Sequence, residues 1–118
     1  MKNFLGALLG LLLLACRGDK LEPTSLQYWE EEFTELSIEE ARVNIKRDRY
    51  RMLKYPETMN VVEFRTYVID DGIGKPGEVL INVEVWGTAQ NYYGQERTFV
   101  KEYRFKYYIP EQYIDSIY

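Results

Sequence analysis

Val83-Glu84-Val85-Trp86-Gly87-Thr88-Ala89-Gln90-Asn91-Tyr92-Tyr93-Gly94-Gln95-Glu96-Arg97-Thr98-Phe99-Val100-Lys101-Glu102-Tyr103 is the stretch that decides the fold. Its centre, Asn91-Tyr92-Tyr93-Gly94, is a turn by its chemistry. Asn stands where a type I turn prefers it, and Gly stands where a left-handed residue makes the bulge that closes a three-residue hairpin loop. Asn91 then faces Gln95, and the pairs outward from it are Gly87 with Phe99, Val85 with Lys101, Val83 with Tyr103, Ile81 with Phe105 and Val79 with Tyr107. The apolar faces coincide. A two-residue loop would instead set Val and Ile opposite Arg and Glu, so pattern and turn chemistry agree on one register. Phe99 is placed to cover the bare Gly87.

Upstream, residues 61–70 read as a further strand with Val62, Phe64, Thr66 and Val68 on one face. Residues 70–77 carry Gly72, Gly74, Pro76 and Gly77 and form the connecting loop. Asp70, Asp71 and Glu78 lack the spacing of a calcium loop and read as a solvated turn, so no metal site is expected. The second sheet face is mostly polar, with Glu84 opposite Glu102 and Asn82 opposite Arg104, yet it also carries Leu80, Trp86, Val100 and Tyr108. That strip is either capped by a helix or by residues 110–118, or it is open to a partner.

Ahead of the strands lies a helical half. Leu26, Trp29, Phe33 and Leu36 recur at helical spacing among Glu30, Glu31, Glu32 and Glu35. Ser37-Ile38-Glu39-Glu40 has the capping-box spacing and predicts a second helix start at Ser37. The stripe of that helix would be Ile38, Ala41, Ile45, Met52 and Leu53, interrupted by Asp48 and Arg49, with Pro56 ending it. The expected fold is α+β, one or two N-terminal helices packed on a three-stranded antiparallel β-meander. Acids precede bases along the helices. Arg47, Arg51 and Lys54, at i, i+4 and i+7, make a candidate basic surface for anionic headgroups or an acidic partner. The simpler reading is a solvated face that complements the helix macrodipole.

The chain begins with a short basic start, Met1-Lys2-Asn3, followed by Phe4 to Leu14, all Phe, Leu, Gly and Ala. This run is far short of the ~20 apolar residues that span a bilayer. It closes on Leu13-Leu14-Ala15-Cys16, and Cys16 is the only cysteine. The pattern resembles the lipobox of bacterial lipoproteins, which implies removal of residues 1–15, a lipid on Cys16 and a membrane anchor. Arg17, standing where Asp favours inner-membrane retention, implies the outer membrane. Residues 16–24 then read as the lipidated cysteine and a polar tether, and residues 25–118 as one domain. The three acyl chains that the resemblance implies would hold the protein on its membrane almost permanently.

A helix running into Leu53-Lys54-Tyr55-Pro56-Glu57-Thr58 and a hairpin at Asn91-Tyr92-Tyr93-Gly94 resemble a small domain of exported bacterial and prophage-encoded proteins. Its members share a Leu-Lys-x-Pro-Asp/Glu-Ser/Thr helix end and an Asn-x-aromatic-Gly hairpin. The resemblance covers about residues 38–108, departs at Gln95 where Gly or Ala is usual, and implies a fold without implying a catalytic residue.

Chemistry is sparsely provided. The 118 residues contain no histidine, and lipidation would consume the one thiol, which removes imidazole acid/base work, His/Cys zinc sites and thiolate nucleophiles. No phosphate-binding glycine loop or nucleophile elbow occurs. Neither an enzyme nor a cofactor is expected, and the net formal charge of −4 disfavours nucleic acid. Binding is better served, by eleven tyrosines. Tyr92 and Tyr93 at the hairpin tip, with Trp86, form the candidate interaction site. Two roles are open, an accessory lipoprotein docked on an envelope protein, and an inhibitor or exclusion factor that blocks a receptor or a cell-wall enzyme.

Overall fold

The computed structural model describes residues 21–72 and 74–118; residues 1–15, expected to be a signal segment, and Cys16 with the expected tether through Lys20 lie outside the described residues. Helix α1 spans Leu26–Met52, strands β1 Asn60–Asp70, β2 Glu78–Gln90 and β3 Glu96–Tyr108 form one antiparallel sheet in the order β1-β2-β3, and a short α2, Ile114–Ile117, ends the chain. Single turns of 3-10 helix sit at Pro56–Thr58 and Glu111–Tyr113. The fold is α+β, as the patterns predict.

The hairpin register is the one the turn dictates. Asn91 N donates to Gln95 O at 2.8 Å and Gly94 N to Asn91 O at 3.0 Å, with Gly94 at φ +77°. The Asn91 side chain fixes the loop by accepting from the backbone N–H groups of Tyr93 and Gln95. All the expected pairs follow, from Gly87 with Phe99 to Val79 with Tyr107. A Cβ on Gly87 would lie 2.5 Å from Asn60 O and 2.8 Å from the Phe99 ring, so the ring and the neighbouring backbone fill the place a side chain would need. In β1, Phe64, Thr66 and Val68 pair with Val85, Val83 and Ile81. Val62 lines a cleft with Phe64 against Arg42 and Lys46 of the helix, but a register shift between Val61 and Glu63 makes it the extra residue of a bulge, without a β2 partner and 62% exposed.

The capping-box reading of Ser37 is overturned. α1 runs through it without a break, and the helix start is capped by Ser25 instead. Ser37 is fully buried, and its hydroxyl donates to Thr34 O at 2.7 Å, so the helix itself satisfies the group that signalled a cap. A break at Ser37 would strand backbone donors and acceptors of two helix ends against the sheet. The buried stripe is Phe33, Ser37, Ala41, Ile45 and Asp48. Asp48 thus continues the stripe that it was expected to interrupt.

At 1.5 Å per residue the 27-residue helix is about 40 Å long, matching the 13-residue strands of the hairpin at about 3.3 Å each. It lies along the sheet face that carries Val79, Ile81, Val83 and Val85, all fully buried. Phe33 stacks on Tyr107 at 4.9 Å near one end, and the Lys54 ammonium sits 5.2 Å from the Tyr92 ring centroid at the other. The helix therefore starts at the open end of the hairpin and finishes at its tip. Ile109 is buried, its N–H donating to Gly77 O, and the C-terminal residues fold beneath the helix start, where Tyr113 meets Trp29 at 5.6 Å and the Tyr118 hydroxyl donates to Asp71 O. Among the described residues nothing covers the other sheet face. Nor is any helix among them long and apolar enough to cross a membrane.

Candidate interaction surfaces

The tip is built by the turn. With Gly94 left-handed and Asn91 holding the loop backbone, the side chains of Tyr92 and Tyr93 cannot reach the core, and they stand 66% and 81% exposed with their rings edge to face at 5.4 Å. Such rings offer contact area at a small cost in side-chain entropy. Beside them, the end of α1 and the hairpin enclose a cleft of about 260 Å³ whose rim carries Lys54, Tyr92 and Arg97.

Trp86 is not part of this tip. It lies on the open sheet face opposite Val100, roughly 20 Å down the strand from Tyr92. The Arg65 guanidinium covers its ring at 4.0 Å, its indole N–H donates to Glu84 at 2.9 Å, and Arg65 is tied in turn to Glu63 at 2.7 Å. The indole is half-buried under these side chains. Tyr67 and Val100 stand exposed near it, and Tyr108 is exposed much farther along the strand, opposite Glu78.

The basic stripe divides in two. Arg47 and Arg51 both turn to Asp48, each 3.0 Å from its Oδ1, while the Tyr103 hydroxyl donates to Oδ2 at 2.7 Å. These bonds, Arg47 first, then Tyr103 and Arg51, hold the Asp48 carboxyl well below the usual carboxylate range. Burial first, and the bond to Asp48 second, push the Tyr103 phenol up. Tyr107 is pushed up the same way, by burial and then by its 2.6 Å bond to Glu40. Lys54 goes instead to the tip. Sequence reasoning missed Asp48 as a hub, although its place in the i+3/i+4 stripe with Arg at i−1 and i+3 was a usable signal.

Residues 22–24 also behave differently from a free tether. Pro23 O accepts from the Trp29 indole at 2.7 Å and Glu22 O from Ser25 N at 2.8 Å, so the domain begins a few residues earlier than its composition suggests. At the same end, Glu30 and Glu31 line an open groove with Gln27, Thr34, Glu35 and Val68. Burial, and then the nearby Asp71 charge, raise the pKa of Glu30. Among the described residues no three acidic side chains converge as a metal site would need.

Comparison with known proteins gives no match: no family model, no curated protein and no solved structure is similar enough to this chain to inform its function.

Proposed function

We propose that the protein is a bacterial lipoprotein, lipidated at Cys16 and held on the outer membrane, that acts as a non-catalytic binding or accessory module of the cell envelope. The observation that carries the binding role is the exposed Tyr92-Tyr93 pair, displayed at the opposite end of the helix from its Ser25 cap. The anchor rests on Leu13-Leu14-Ala15-Cys16. With residues 22–24 folded onto the helix start, only about five residues separate Cys16 from the folded domain, a reach of at most roughly 18 Å. The domain then stays close to its membrane, and the tip, about 40 Å from the start of the helix, is free to meet an envelope protein.

Two variants test the two halves separately. Cys16→Ser is expected to move the protein out of the membrane fraction, and retention there would sink the lipid anchor. A photoreactive residue at Tyr93, activated in cells, is expected to give one dominant adduct that also co-purifies from detergent extracts. The tip reading fails if position 93 captures nothing while position 47 does. Altered phage sensitivity or lysozyme resistance on expression alone would turn the role from accessory to inhibitor.

A further inference from the structure

The two edges of the sheet are made differently. β1 carries register shifts at both ends, between Val61 and Glu63 and between Val68 and Asp70, and such bulges blunt an edge against strand pairing. β3 has none. All 13 of its residues pair with β2 in unbroken register, and among the described residues no strand lies on its other side. The turn also says which backbone groups are free. Asn91 and Gln95 form a hydrogen-bonded pair, and such pairs recur at every second position, so the odd residues of β3 bond to β2. Its even residues, Thr98, Val100, Glu102, Arg104 and Lys106, consequently aim their N–H and C=O groups outward.

That edge is basic on a chain that is acidic overall. β3 holds Arg97, Lys101, Arg104 and Lys106 against Glu96 and Glu102, while the whole chain carries a net charge of −4. On the helix side, Arg47 and Arg51 add two positive charges to the one negative charge of Asp48, next to Tyr103. Lys101 and Arg104 make no ion pair among the described residues; Lys101 lies only over the ring of Tyr103. A second copy of the chain is a poor occupant. Antiparallel self-pairing centred near Tyr103 would bring two sets of Arg47, Arg51 and Lys101 together.

We propose that the edge of β3 is a docking site for an extended acidic segment of a partner protein, which adds to the sheet as a fourth strand. Backbone hydrogen bonds to the even residues would supply affinity, and Lys101 and Arg104, on opposite faces of the strand, would select acidic side chains. The site is separate from the tyrosine tip, so each can fail without the other.

The test is amide hydrogen exchange on the full chain in detergent, with two seven-residue peptides of alternating sequence, Val with Glu and Val with Lys. The Glu peptide is expected to slow exchange at Val100, Glu102 and Arg104, and to bind about tenfold more tightly than the Lys peptide. Glu102→Pro removes one outward N–H and leaves the β2 ladder intact, so it should abolish that protection without altering exchange in β2. The double variant Lys101→Glu/Arg104→Glu should reverse the preference between peptides, which a folding defect cannot mimic. Protection by neither peptide, equal protection by both, or protection that rises with protein concentration alone would overturn the proposal, the last by making a second copy the occupant.

Discussion

The two faces of the sheet are built from the same three strands and do opposite things. On the helix side, Val79, Ile81, Val83 and Val85 are sealed beneath Phe33, Ala41 and Ile45, and the few polar groups that enter, Ser37 and Asp48, bring their partners with them. On the open side an indole is sheltered by Arg65 and held by one hydrogen bond to Glu84 on the same strand. The difference teaches where stability resides. One face holds the fold together by excluding water, whereas the other is a solvated surface whose contacts are local and replaceable.

The strongest way to break the contrast is at its apolar centre. Ile45→Ala would leave a cavity between helix and sheet, and a loss of about 2–4 kcal/mol in urea unfolding is expected. A loss below about 1 kcal/mol would mean that the helix is loosely seated. Next in size is Gly87→Ala, where the new methyl meets Asn60 O at 2.5 Å, a backbone atom, and the Phe99 ring at 2.8 Å. Overpacking of this kind costs about 1–3 kcal/mol, and β1 would have to move away from β2 to relieve it. Amide exchange at Asn60 and Val61 should then quicken, while the Tyr92-Tyr93 tip is unaffected.

The polar groups of the packed face predict two pH limbs. Asp48 is held below its ordinary value of 3.8, so its contribution is present above that value and is lost as the pH falls beneath it toward the folded-state value. Tyr103 and Tyr107 are both raised above their ordinary value of 10.0, so their contribution is intact below pH 10 and lost as the pH climbs past it. Unfolding midpoints measured from pH 2 to pH 12 should form a plateau with a shoulder at each end. Asp48→Asn should flatten the acid shoulder and Tyr107→Phe reduce the alkaline one; unchanged shoulders in these variants would assign them to other groups.

How far the sequence reveals this architecture depends on the range of each interaction. Asn91, Gly94 and Gln95 settle their register among themselves, within five residues, so the turn and all its downstream pairs were legible. Ser37 was misread because a cap signal and a buried helical serine look alike until the sheet arrives to bury it. Asp48 was opaque for the same reason. Two of its partners are close by, but Tyr103 is 55 residues away, and without that hydroxyl a carboxylate in an apolar stripe reads as a flaw. The bulges of β1 left no local mark, since only pairing with β2 reveals that Val62 is an extra residue. As for the surfaces, the tip was visible in the turn chemistry, but Trp86 joins it only when distance along the strand is ignored.

The smallest expected effect lies on the open face. Trp86→Ala removes the largest side chain there, but the indole is only half-buried, and its partners Arg65 and Glu84 fall back to water, which solvates both. No closed cavity forms, because nothing among the described residues roofs that face. The loss should be about 1 kcal/mol, the scale of a cross-strand contact rather than of a core truncation. A value approaching that of Ile45→Ala would show that the indole organises Glu63, Arg65, Tyr67 and Glu84 into a second core. Denaturant midpoints for Trp86→Ala and Arg65→Ala, alone and combined, separate the cases: additive losses mark independent surface contacts, whereas a combined loss well short of the sum marks a coupled cluster.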